Sequence, residues 1–309
     1  MKSIKPALSI LLALASLLLI APAAGADDDP PPLYSNHPEL LPSLGEHRPR
    51  LAEVWYPHIL AAGLHGVAPG AEMVILDHEE FAPAEAEQYA KIINAARAAS
   101  PVPVGIYAYA GRPYSRFAWL ASAEAYVANE DGTAPATESW RLANLAKEEQ
   151  LLESAKADVE QQRPAAAAAD IIGPVLYPRY RHSPEMAYQV ASAQLADAKA
   201  EAAAAEAWAK ANIKYYRPRG PRRIVAFVSP NLAGVFGGEL VDEAQTDAIL
   251  RACVDASVSP LIWMAQPERP ERAASVSAAK RMSLRYIELI EAKAAGREPP
   301  PLPRCVAAD

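Results

Sequence analysis

The residues best placed to do chemistry lie in the run Met73-Val74-Ile75-Leu76-Asp77-His78-Glu79-Glu80-Phe81, where an apolar stretch passes straight into acids. Side chains on a strand alternate faces, so this run predicts Asp77 and Glu79 on one face and His78 and Glu80 on the other. Two carboxyls on one face, a few ångströms apart, cannot both ionise cheaply, and one of them keeps its proton to higher pH. A carboxyl still protonated near neutrality can protonate the leaving oxygen of a glycosidic bond. Glu79 has the longer reach and is the expected acid; Asp77 is its expected partner, tuning it or binding a group on the substrate. The same run has a plainer reading, in which Glu79-Glu80 opens the next helix and favours the helix dipole.

Other chemistries find little footing. None of the six histidines, His37, His47, His58, His65, His78 and His182, pairs at metal-ligand spacing. Although His78-Glu79 begins like the helix of a zinc protease, no second histidine follows at the required offset. No metal and no cofactor are therefore expected. The run Gly234-Val235-Phe236-Gly237-Gly238 lacks the spacing and the lysine of a phosphate loop, and no G-x-S-x-G is present. Arg217, Arg219, Arg222 and Arg223 lead into a strand, either as a solvated loop or as a local attractor for an acidic sugar chain. Cys253 and Cys305 could form one disulfide in an oxidising compartment, tying the C-terminal tail to a late helix.

The elements that must position Asp77 and Glu79 alternate along the chain. Short apolar runs rich in Val, Ile or Tyr predict strands at residues 73–76, 102–109, 171–177, 224–228 and 260–263. Helical patterns lie between them at residues 83–99, 139–162, 184–212, 239–256 and 272–295. Ser183 and Pro184 suit the N-cap and first position of the third of these helices. Strands alternating with helices give an α/β class with a parallel sheet. A (β/α) TIM-type barrel is the expected architecture, incomplete or distorted because only five strands are evident where a full barrel has eight. Asp77 and Glu79 then fall at the carboxyl end of a strand, where such barrels build their sites.

The chain ends carry different signals. Lys2 and Lys5, an apolar run from Leu8 to Ile20, and Ala24-Gly25-Ala26 have the order of a secretory signal peptide. The expected organisation is a signal peptide at 1–26, an extended lead-in at 27–45, one barrel domain at 46–298 and a tail at 299–309. The product would be secreted or periplasmic, with no membrane association after cleavage. The net charge of −7, more negative still without the leader, makes a poor general binder of nucleic acid.

The segment Asp77-His78-Glu79-Glu80-Phe81-Ala82-Pro83 resembles the D-W-E-E-W-R-P hallmark of the animal and venom hyaluronidases, glycoside hydrolases with a distorted β/α barrel. Leu176-Tyr177-Pro178-Arg179-Tyr180, followed by Ser183-Pro184 and a long helix, resembles that family's L-Y-P-S-I-Y segment. Residues 224–228 resemble the following barrel strand, and Pro260-Leu261-Ile262-Trp263 resembles the late strand ending I-V-I-W-G. Gly105-Ile106-Tyr107-Ala108-Tyr109 with Arg112-Pro113-Tyr114 is similar to G-Y-Y-x-F-P-D-C-Y-N. The resemblance implies Glu79 as proton donor and Asp77 as its partner, with the substrate's own 2-acetamido carbonyl as nucleophile. It implies that Tyr177 positions the acetamido group, that Trp263 forms part of the sugar floor, and that Tyr114 is a cleft tyrosine. The implied partner is a polysaccharide or oligosaccharide containing an N-acetylated amino sugar. His78, Phe81 and Ala82 stand where the family pattern has Trp, Trp and Arg, and no counterpart of its first barrel strand is evident before residue 70. A non-catalytic carbohydrate-binding barrel and an interaction protein built on the alanine-rich helices are the alternatives.

Overall fold

A computed structural model of the chain describes residues 30–42, 47–56, 66–77, 85–107, 157, 160–178, 183–214, 222–231, 239–264 and 267–300. The short apolar runs pair side by side as parallel strands: β1 (Tyr34–Ser35), β2 (Arg50–Trp55), β3 (Ala71–Leu76), β4 (Val104–Tyr107), β5 (Ile171–Gly173), β6 (Arg223–Val228) and β7 (Ser259–Ile262). Each bonds to the next, and β1 pairs with β7, so the seven strands found among the described residues close into a barrel. Two of them precede residue 70, where the sequence offered no strand, and β1 lies inside the stretch expected as an extended lead-in.

Among the described residues, five α-helices alternate with the strands: α1 (Ala86–Ala99), α2 (Arg163–Ala168), α3 (Pro184–Asn212), α4 (Glu243–Asp255) and α5 (Ala273–Ala294). Local chemistry sets their starts. Ser183 Oγ accepts from the Met186 amide at the head of α3, and Asp242 caps α4 through the Ala244 and Gln245 amides. The predicted helix at 139–162 lies, apart from its last residues, outside the described residues. One long face of α3 is small: Ala187, Ala191, Leu195, Ala198, Ala202, Ala205 and Ala209 are buried at spacings of three and four. Small side chains let α3 pack closely against its neighbours.

Strand alternation divides the core. On the outer face, Val74, Leu76, Val104, Ile106 and Ile172 meet α1 and α2, while Ala226, Val228 and Ile262 meet α3, α4 and α5. On the inner face, Tyr34, Ala52, Met73, Ile75, Ile171, Val225, Phe227 and Leu261 fill the barrel. Two inward positions are glycines because the filling is tight. A Cβ at Gly105 would meet Ile75 Cδ1 at 2.8 Å and Ile171 Cβ at 2.9 Å. At Gly173 a Cβ would overlap the Phe227 ring and stand 2.8 Å from the Ile106 carbonyl oxygen. Replacing Gly173 with Ala should therefore cost about 1–3 kcal/mol, the usual range for overpacking. Urea unfolding checks this, and an unchanged midpoint would mean that the ring has room to yield.

Buried ionisable groups make the fold sensitive to alkali. Cys253 on α4 carries a free thiol and is fully buried, while Cys305 lies outside the described residues. Burial pushes the Cys253 thiol from 9.0 up to about 12. It also raises the phenols of Tyr286 and Tyr89 above their ordinary 10.0. An unfolded chain gives up these protons first, so their contribution to stability is complete below about pH 9 and is lost as pH rises toward 12. Lys199, lowered by burial and then by Lys293, acts in the opposite sense, and it is only partly buried. The urea midpoint should fall between pH 9 and pH 12, with the onset softened in Cys253→Ala. A midpoint that stays flat across that window would contradict this.

Candidate functional site

The barrel's carboxyl end gathers the side chains that its strands deliver there. Met73 and Ile75 on β3 face the interior, and Asp77 continues their parity one residue beyond the strand. The Asp77 amide donates to the Trp55 carbonyl at 3.1 Å, which extends the β2–β3 ladder by one residue. Asp77 is 9% exposed. From α1, the Tyr89 hydroxyl donates to the Leu76 carbonyl at 3.4 Å. Its phenol is raised first by burial and then by the negative charge of Asp77, which places that carboxylate within electrostatic reach of Tyr89.

On the adjacent strand, Leu76 pairs with Ile106, so Tyr107 stands level with Asp77 on interior parity. Neighbouring strand backbones lie about 5 Å apart. Tyr107 belongs to an aromatic group drawn from four strand ends. Its ring stacks on Trp263 with centroids 5.7 Å apart and planes 28° apart, and meets Tyr177 at 6.3 Å. Phe227 meets Tyr107 in a T-shaped pair with centroids 4.9 Å and planes 88° apart, and its centroid lies 5.9 Å from that of Trp263. Phe227 is fully buried, whereas Tyr107, Tyr177 and Trp263 are half-buried. Phe227 is thus the fully buried member of the group, and the Tyr177 hydroxyl oxygen is itself buried.

The segments carrying these rings are tied to the sheet. Leu176 donates to the Phe227 carbonyl at 2.8 Å, and Phe227 to the Pro174 carbonyl at 2.8 Å, which holds the chain entering Tyr177. The Trp263 amide donates to the Val228 carbonyl at 2.8 Å. Ser35 Oγ donates to the Ile262 carbonyl at 3.1 Å, and the Asn36 amide exchanges two hydrogen bonds with the Met264 backbone.

Of the residues predicted from sequence, Asp77, Tyr177 and Trp263 are all delivered to this end of the barrel, and Tyr177 and Trp263 join one aromatic group through Tyr107. Glu79 and Tyr114 lie outside the described residues. Tyr107, Phe227 and Asn36 were not among the expected site residues. Tyr107 and Phe227 share inward parity with Gly105 and Val225, a signal that becomes readable once the strand ends are known.

The arginine cluster ahead of β6 is only partly described. Arg222, whose side chain is 5% exposed, donates to the Ala166 carbonyl at 3.2 Å, to the Ala167 carbonyl and to Glu206. It covers the last carbonyls of α2 at the amino end of the strands, away from the aromatic group. For Arg222 that is an internal contact, while Arg223 is exposed and Arg217 and Arg219 lie outside the described residues. Among the described residues, no group of three His, Cys, Asp or Glu side chains is placed to hold a metal ion, and no helix is long and apolar enough to cross a membrane.

Half-buried flat rings beside a carboxylate can pack on the C–H face of a sugar and fix a polar substituent of it. No family model matches the chain, and no curated protein matches it. Among solved structures the chain is similar to bee venom hyaluronidase in complex with a hyaluronic acid tetramer, at a TM-score of 0.42 and 11% identity, covering 76% of this chain and 70% of that one. It is also similar to bee venom hyaluronidase in a monoclinic crystal, at a TM-score of 0.44 and 10% identity, covering 86% of this chain and 99% of that one.

Proposed function

We propose that the protein is an exported, hyaluronidase-like glycoside hydrolase that cleaves next to an N-acetylated amino sugar. The observation that carries this reading is the half-buried Tyr107–Trp263 stack with Tyr177 beside it, level with Asp77 at the carboxyl end of the barrel. Trp263 and Tyr107 supply the face on which a sugar ring rests. Tyr177 and Asp77 take the acetamido group.

In the reaction, the Glu79 carboxyl passes its proton to the glycosidic oxygen, and the bond from C1 to that oxygen breaks with its electron pair going to the leaving group. The acetamido carbonyl oxygen bonds to C1 from the opposite face, closing a cyclic intermediate, while Asp77 orients the acetamido N–H. Water then bonds to C1 and gives its proton to the Glu79 carboxylate, reopening the ring and restoring the acid. Substrate-assisted hydrolysis of this kind needs only one protein acid and draws on no cofactor.

The test is a screen of the purified protein against amino-sugar polymers, reading new reducing ends from acidic to mildly alkaline pH. New ends from at least one N-acetylated polymer are expected. Binding without new ends would favour a carbohydrate-binding barrel. Neither binding nor cleavage would favour an interaction protein.

A further inference from the structure

The seam that closes the barrel is one of its shortest, with two rungs like β1–β2 and β5–β6. β1 contributes only two rungs against β7, Tyr34 to Leu261 and Ser35 to Ile262, before the chain turns through Pro38–Leu40. The Trp263 amide faces β6, and the next backbone groups to face β1 are those of Met264, beyond the last rung. The gap is bridged by a side chain. Asn36 Nδ2 donates to the Met264 carbonyl at 2.9 Å, and Asn36 Oδ1 accepts from the Met264 amide at 3.0 Å. A carboxamide carries one C=O and one N–H₂ in a plane, so it can stand in for a peptide group and add a rung. On the other side of Trp263, Ser35 Oγ holds the Ile262 carbonyl while accepting from the His37 amide at 3.0 Å.

We propose that Asn36 is the positioning residue for the Trp263 platform: its amide extends the β1–β7 seam by one rung and fixes the backbone from which the indole faces the barrel mouth. The step from indole to sugar rests on the functional reading above. With Ile262 and Met264 both gripped from β1, and the Trp263 amide bonded to Val228, the backbone around the indole has little freedom left. The ring then settles on Tyr107. Only a side chain of this length with one donor and one acceptor can do this. An ionised Asp keeps the acceptor for the Met264 amide but sets a charge against the Met264 carbonyl. A protonated Asp regains a donor.

The test compares the full chain with Asn36→Ala and Asn36→Asp. The Trp263 contribution to near-ultraviolet circular dichroism is defined as the difference between the unaltered protein and Trp263→Phe. Asn36→Ala should lose that contribution with its helix signal intact. Its KM for an amino-sugar oligosaccharide, or its Kd where no turnover occurs, should rise about tenfold, the worth of two ordinary hydrogen bonds, with kcat nearly unchanged. Asn36→Asp should be defective at neutral pH and regain the near-ultraviolet signal on acidification through the carboxyl range. Should Asn36→Ala fail to fold, this recovery decides alone. An unaltered near-ultraviolet signal in Asn36→Ala, or an Asn36→Asp variant indifferent to pH, overturns the proposal. If the unaltered protein binds no oligosaccharide, the sugar reading falls, and the spectroscopic signal still decides whether Asn36 positions Trp263.

Discussion

Glu79→Gln should lower turnover by about 10²–10⁴-fold, the usual worth of a positioned general acid, while oligosaccharide affinity changes little. Gln matches Glu in shape and keeps its hydrogen-bonding capacity, but it has no acidic proton to deliver to the leaving oxygen. The loss should therefore appear in kcat, with KM nearly unchanged. Glu80→Gln is the natural control, because the amino-acid pattern leads one to expect Glu80 on the face opposite Asp77 and Glu79. Steady-state kinetics on an amino-sugar polymer would check both variants. Full turnover in Glu79→Gln, or equal losses in both variants, would remove Glu79 from the role of acid. Loss of affinity together with turnover would make it a binding group instead.

The second large effect is on stability. Phe227 is fully buried at the centre of the barrel, with the rings of Tyr107 and Trp263 packed against it and Gly173 kept bare to admit it. Truncating a buried Phe to Ala usually costs about 3–5 kcal/mol. Each lost aromatic contact adds about 0.5–1.5 kcal/mol beyond the area involved. Against a typical domain stability of about 5–15 kcal/mol, Phe227→Ala should leave the protein barely folded. Phe227→Leu, which keeps more of the volume, should be much milder. Chemical denaturation measures both. A loss below about 1 kcal/mol for Phe227→Ala would mean that the barrel interior collapses to fill the space. Where Phe227→Ala still folds, oligosaccharide affinity should also fall, because these two rings lose the ring they pack against.

Much of this architecture is legible in the amino acids alone. The long helix α3 runs over Pro184–Asn212 as expected, because its start is written locally in Ser183 and Pro184. β3 to β7 fall where short apolar runs predict them, since strands covered on both faces have little use for polar residues. β1 and β2 escape that pattern. β1 has two residues and draws support from side chains, through Ser35 and Asn36, that no periodicity encodes. β2 reads Arg-Leu-Ala-Glu-Val-Trp, and its two charges break the apolar run for good reasons. Arg50 pairs with Glu72 at 2.9 Å, and Glu53 accepts from the Ala68 amide at 2.7 Å to hold the turn into β3.

The site divides along the same line. Asp77, Tyr177 and Trp263 stand just beyond strands that are easy to find, so their placement follows from the fold class. Tyr107 and Phe227 are ordinary core aromatics in sequence, and only closure of the barrel brings them against Trp263. The close fit of Gly173 against Phe227 depends on the pairing of β5 with β6, a long-range contact with no local signature.

The most direct test of the central claim is the crystal structure of Glu79→Gln, used as a trap, with an N-acetylated amino-sugar tetramer. One sugar ring should lie flat against Trp263 and Tyr107, with its acetamido group hydrogen-bonded between Asp77 and Tyr177 and the adjoining glycosidic oxygen within reach of the side chain at position 79. An oligosaccharide bound away from the aromatic group, or one whose acetamido group points away from Asp77, would contradict the account.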